Sequence, residues 1–164
     1  MDWYPWVVVV HVVAVIVSFG AHGVSAFAMF RVRSEPDRAR LAALLDLSTM
    51  SVGVMSVGLL VALVTGIVAA VMGSHFSRTW PWVSIGVIIA IIAVMTPLAA
   101  SPMSAVRAAL GMPIRGDKKG APPRTPASDA DLAAARAALR PELIAVLGTA
   151  AIVVLVWLMV VKPF

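Results

Sequence analysis

Two histidines, His11 and His22, stand in an apolar stretch that otherwise offers little for proton exchange or metal binding. Eleven residues at about 100° per step return to nearly the same helix face, roughly 16 Å further along the axis. Ionisable side chains inside a bilayer cost free energy and are functional suspects by default. A helix with two histidines on one face either lines a proton path or offers haem ligands at two depths. Stacked haem sites also need histidines on a facing helix, and the third histidine, His75, lies in a polar turn. In the plainer alternative, each ring bonds a neighbouring Ser, Thr or backbone carbonyl in a packed bundle.

The surroundings extend both readings. Around His22 the chain reads Gly20-Ala21-His22-Gly23-Val24-Ser25-Ala26, small enough for close helix approach. If the first two spans run antiparallel, His22 lies level with about Met50 to Gly53. Ser51 and Thr49 are then its partners, with Asp46 about a turn lower. Asp46 either joins His22 as a protonatable pair or sits among the headgroups and pairs with Arg31 or Arg40. His11, His75 and Met72, with Met159, make a soft metal set that suits copper. Against that stands the ordinary use of methionine as packing. The small residues of the second span, Gly53, Gly58 and Gly66 among Ser48, Ser51 and Ser56, pack another helix or form a dimer face.

These groups need elements to hold them, and composition says which. Of 164 residues, 61% are hydrophobic and 13% charged. Soluble domains carry about 45–50% apolar and about 25% charged residues, and a core this small cannot bury the excess. The apolar residues fall in blocks long enough to cross a bilayer, which takes roughly 20 helical residues. Expected spans are about 6–30, 47–72, 80–100 and 142–161, with a polar loop over 101–141, in one transmembrane domain. The first span lacks the basic start of a signal peptide and reads as a retained helix. Trp3, Tyr4 and Trp6 mark its outer interface, as Trp80 and Trp82 do for the third.

Ser34-Glu35-Pro36-Asp37 reads as a helix start with Ser34 capping. The amphipathic stretch from Asp37 to Leu47 leads without a break into the second span. Pro97 and Pro102 kink the far end of the third. Arg115 to Ser128, rich in Gly, Pro and basic residues, reads as a disordered loop. Ser128-Asp129-Ala130-Asp131 opens another helix.

Eleven of the thirteen basic residues follow spans one and three, against Arg78 and Lys162 on the other side. By the positive-inside rule that side is cytoplasmic. The expected fold is an all-α integral membrane four-helix antiparallel bundle, N-out and C-out. Arg31, Arg33, Arg38, Arg40, Lys118 and Lys119 then meet anionic lipid headgroups or a partner. The charges explain themselves at helix ends, so nucleic acid is not an expected ligand. There is no cysteine, which excludes thiolate chemistry. No P-loop, nucleophile elbow or HExxH motif is present, and the balance leans towards a protein that is not an enzyme.

One resemblance adds to this. Tyr4-Pro5-Trp6 with His11, then Ala21-His22-Gly23-Val24-Ser25-Ala26 and Arg31-Val32-Arg33, resemble the small bacterial membrane proteins of the DUF2269 type. Ala43-Leu44-Leu45-Asp46-Leu47-Ser48 and Val57-Gly58-Leu59-Leu60 are similar too. The likeness covers about Tyr4 to Trp82, and more loosely the whole chain. More distantly the chain is similar to four-helix bundles around the CopD copper-resistance domain and the HemJ protoporphyrinogen oxidase. There a first-helix histidine recurs, matched in position by His11, and haem or copper is implicated. Ser18-Phe19-Gly20-Ala21 stands where such relatives carry Gly-Gly.

The resemblance implies a bacterial cytoplasmic-membrane protein of unassigned role. The sharpest expectation is haem b or, second to it, copper held by His11 or His22. The rivals are a non-enzymatic accessory or scaffold protein that binds lipid, a membrane partner or its own copies, and a small oligomeric transporter.

Overall fold

The computed structural model describes residues 2–114, 116–118, 122 and 124–163. Among them there are helices, turns and loops but no strand. Four helical stretches are long and apolar enough to cross a membrane.

Helix α1 spans Tyr4–Ser34, with proline in its first turn. Pro36 ends it, because a residue before proline is pushed out of the helical region. Glu35 is accordingly extended, at φ −76° and ψ 122°. The cap expected at Ser34 is not used; Ser34 is the last residue of α1, and its hydroxyl donates to the Arg31 carbonyl. Asp37 caps α2 instead, its carboxylate accepting from the Arg40 amide at 2.8 Å.

Helix α2, Arg38–Met72, runs unbroken for 35 residues, roughly 50 Å of helix. A hydrocarbon core is about 30 Å thick, so an end of α2 stands clear of it.

A short 3₁₀ turn, His75–Ser77, leads into α3, Trp80–Met95. Helicity does not stop near Ala100 as expected. A π turn, Thr96–Ala100, continues into α4, Ser101–Ala109. Pro97 and Pro102 lack amide protons, and the wider turn absorbs the interruption. Ser128 caps α5, Asp129–Ala137, by accepting from the Asp131 amide. Helix α6, Pro141–Val161, has 21 residues, about one bilayer core in length. The polar stretch 101–141 therefore carries two helices, α5 as its Ser128 start implies and α4 where a loop is expected.

The α1–α2 hairpin is the most intimate pair in the molecule. On α1 the inward residues are His11, Ala14, Ser18, Ala21, Ser25, Ala28 and Val32, none of them fully exposed. They alternate in steps of three and four, the spacing of a coiled-coil seam. Across from them α2 presents small residues, including Ser48, Ser51, Gly58 and Ala62, all buried. Ser18 sits against Gly58, where any Cβ would overlap its hydroxyl, and Ser25 bonds Ser48 at 2.8 Å. Lipid supplies no hydrophobic drive between helices, so backbones gain by close approach over small residues. Helix α6 packs on α1 and on α3, whereas α2 and α3 do not pack closely along their lengths.

The large-residue core lies elsewhere, at the end of the bundle where the basic residues gather. Met29 and Val32 of α1, Leu41 and Leu45 of α2, Val106 of α4, Leu132 of α5 and Leu139 and Ile144 near the start of α6 form one buried cluster. Helices α4 and α5 thus close a cap over the α1–α2 turn. Ion pairs fasten it: Arg33 with Glu142, Arg38 with Asp129 and Arg107 with Asp46. Arg136 donates to the Glu35 carbonyl and Arg38 to that of Ala127.

Candidate functional site

The intramembrane histidines occupy two separate seats, each made by a glycine on a facing helix. His11 faces α2, where a Cβ on Gly66 would lie 2.9 Å from its Cε1. Its Nδ1 donates to the Ala62 carbonyl at 2.8 Å. A carbonyl only accepts, so this bond puts the ring proton on Nδ1. Thr65 stands beside it, 3.4 Å from Nδ1, and its own hydroxyl proton goes to the Val61 carbonyl. His22 faces α6, not the α2 serines. A Cβ on Gly148 would overlap its Nε2, so the ring lies against bare backbone. Of the expected partners, Thr49 donates to the Leu45 carbonyl and Ser51 is buried in α2; beside them Ser48 pairs with Ser25.

The free space beside these rings is unequal. A cavity of about 50 Å³ lies among α1, α2, α3 and α6, lined by His11, Phe19, Leu59, Leu63, Ile88 and Met159, among others. Sites for cofactors and drug-sized ligands run to roughly 300–1,000 Å³. A haem therefore does not fit beside His11 in this packing. The larger space is an open groove of about 780 Å³ on the outer side of α1 and α2. Valines of both helices and Gly53 line it, and no histidine does.

His75 and Met72 lie with the aromatic end. The Tyr4 hydroxyl and His75 Nε2 are 3.3 Å apart, and the His75 and Trp80 rings 5.6 Å apart. Lys162 Nζ stands 5.8 Å above the Trp80 ring. The starts of α1 and α3, the α2–α3 turn and the end of α6 thus meet in one cluster. His11 lies seven residues, or roughly 10 Å, further along α1 than Tyr4, so His11 and His75 occupy different depths. Met72 is largely exposed. Among the described residues, no three His, Cys, Asp or Glu side chains gather as metal ligands.

Asp46 pairs with neither His22 nor an arginine of the α1–α2 turn. Arg107 Nη1 donates to it at 2.9 Å and to Thr49 Oγ1 at 3.3 Å, while Arg107 Nε holds the Pro113 carbonyl at 3.0 Å. The sequence does not announce this joint between α2 and α4, because Arg107 stands in a polar stretch that lacks a spanning pattern.

The basic residues divide into two groups. Arg33, Arg38 and Arg107 are spent on the cap, and Arg124 pairs with Asp117. Arg124 is the first reason the Asp117 carboxyl sits below the usual carboxylate range, and the Ile114 amide adds to it. Among the described residues, Arg31, Arg40, Arg140 and Lys118 are exposed with no ion-pair partner. Lys119 and Arg115 lie outside the described residues.

No curated protein and no solved structure matches the chain at a significant level. The family model described as "Predicted integral membrane protein (DUF2269)" matches residues 5–163. This is a multi-pass integral membrane protein with four candidate spans, and it belongs to the DUF2269 family.

Proposed function

We propose that this is a non-enzymatic accessory protein of the bacterial cytoplasmic membrane, lying N-out and C-out, whose working surface is its folded basic end. One observation carries the reading. His11 bonds the Ala62 carbonyl and Ser25 bonds Ser48 across the α1–α2 seam, whereas at the capped end, among the described residues, Arg31, Arg40 and Arg140 are exposed with no ion-pair partner. The orientation rests on the excess of Lys and Arg at that end.

Arg31 closes α1, Arg40 stands in the first turn of α2 and Arg140 precedes α6. All three adjoin the cap and flank apolar spans, where a headgroup phosphate is the natural counter-charge. Each basic residue near an anionic membrane surface contributes on the order of 1 kcal/mol.

The test is retention of anionic lipid by protein extracted from mixed bilayers, read by native mass spectrometry. The Arg31→Gln, Arg40→Gln, Arg140→Gln triple variant is expected to lose most bound phosphatidylglycerol. Arg33→Gln is expected to keep it and to loosen the cap instead. Equal lipid retention in wild type and triple variant overturns the reading. So does a near-stoichiometric haem spectrum that disappears in both His11→Ala and His22→Ala.

A further inference from the structure

The seat of His11 leaves one nitrogen unused. The Nδ1–Cε1 edge of the ring lies on α2, held by the Ala62 carbonyl and pressed towards Gly66, while Nε2 is the more distant nitrogen at 3.9 Å from that Cβ position. With the proton on Nδ1, Nε2 of the neutral ring is a bare acceptor. Among the described residues it has no hydrogen-bond partner, and the ring lines the 50 Å³ cavity.

Met159 lines the same cavity from α6. Helical side chains lean towards their own N-terminus. Helices α1 and α6 start at opposite ends of the bundle, so His11 leans towards the aromatic end and Met159 away from it. The two converge on one level, which places a weak sulfur acceptor in the cavity with the imidazole.

The chemistry of the space selects its occupant. No carboxylate lines it, so a cation there would lack a counter-charge. It is far smaller than a cofactor site. It is large enough for water, since one molecule needs roughly 10–15 Å³ by this measure, which gives room for about three. A small neutral donor is what an unpaired Nε2 requires.

We propose that this cavity binds water, which donates to His11 Nε2, making His11 a hydrated hydrogen-bond acceptor within the membrane. Gly66 admits the ring, the Ala62 carbonyl sets the tautomer, and the cavity supplies the donor. Clustered waters bond one another where the walls are apolar.

The test is nitrogen NMR of histidine-labelled protein in nanodiscs, with magnetisation transfer from water. The expected result is one histidine with protonated Nδ1, a hydrogen-bonded bare Nε2 and a water-transfer signal, all absent in His11→Leu. Val15→Phe and Val156→Phe each fill the cavity from a different helix, so one serves if the other fails to fold. A folded filled variant is expected to keep the Nδ1 proton and lose the water transfer several-fold. A proton on His11 Nε2, no water transfer in the wild type, or undiminished transfer in the filled variants overturns the proposal.

Discussion

Leu41 and Leu139 at the basic end are sealed from any solvent, while Met50 and Val160 on the spanning helices are 71% and 75% exposed. The two regions are built by different rules because they fold against different solvents. At the basic end water surrounds the cap, so burying leucines is favourable at roughly 25 cal/mol per Å² of apolar surface. Along the spans, lipid is as apolar as the side chains, so burial alone contributes little and close packing decides. The buried residues of the α1–α2 seam there are small, Ala14, Ser18, Gly58 and Ala62, and so is Gly148 of α6, although α6 also buries Leu155 and Leu158 near its end. Large apolar residues point out to the acyl chains.

Truncation at the basic end should give the largest effect. Leu41→Ala or Leu139→Ala is expected to cost about 2–5 kcal/mol, read as a lower midpoint in detergent unfolding. Val10→Ala, on the lipid-facing groove, should stay within about 0.5 kcal/mol. Similar losses at both positions would erase the contrast.

Enlarging a seat should come next. Gly58→Leu and Gly148→Leu drive a side chain into Ser18 and His22 and should cost about 1–3 kcal/mol. Gly53→Leu is the control, since a Cβ there meets nothing within 4 Å, and it should be near neutral. A strong effect at Gly53 would instead point to a partner in the groove.

Removing polar bonds of the seam should cost less. Ser25→Ala is expected to lose about 0.6 kcal/mol, the typical value for a hydrogen bond between spanning helices, and Ser18→Ala, whose hydroxyl donates to the Ala14 carbonyl within α1, no more than that. A loss several times larger would mean that hydrogen bonding, rather than close approach, holds the hairpin.

The smallest effect is local and depends on pH. Asp117 has a folded pKa below its unfolded value of about 3.9, chiefly through the Arg124 hydrogen bond. The contact is therefore complete above that value and is lost only as pH falls through the depressed one. Protection of the Ile114 amide, which donates to Asp117, relative to its free exchange rate at the same pH should be lost only in acid. Arg124→Gln should move that onset to higher pH.

The four spans, the unbroken α2 and the Ser128 cap follow from local pattern: apolar length, aromatic interfaces and a short polar residue before an acidic turn. The seven-residue spacing of His11, Ser18 and Ser25 lies in the sequence as well, but only the packing of α1 on α2 shows that it marks one seam. The glycine seats were not legible, because matching His22 to Gly148 requires knowing that α6, far off in sequence, faces that side of α1. The cap was missed for a related reason. Between residues 101 and 141 prolines and charges dominate, and the few apolar anchors, Val106, Leu132 and Leu139, declare their purpose only when brought onto Leu41 and Leu45. Ser34 lost its expected role to Asp37 because Pro36 dictates where the helical path breaks.

The cap also imposes a schedule. Leu41 and Leu45 are among the earlier residues made, yet Leu132 and Leu139, which cover them, come about ninety residues later. At roughly 5–20 residues per second, a ribosome takes on the order of 5–20 s over that gap. The α1–α2 hairpin is complete well before then, and the leucines of its turn stay bare until α5 emerges. A nascent chain halted before α5 would therefore be a chaperone substrate at its basic end, although three of its four spans are already made.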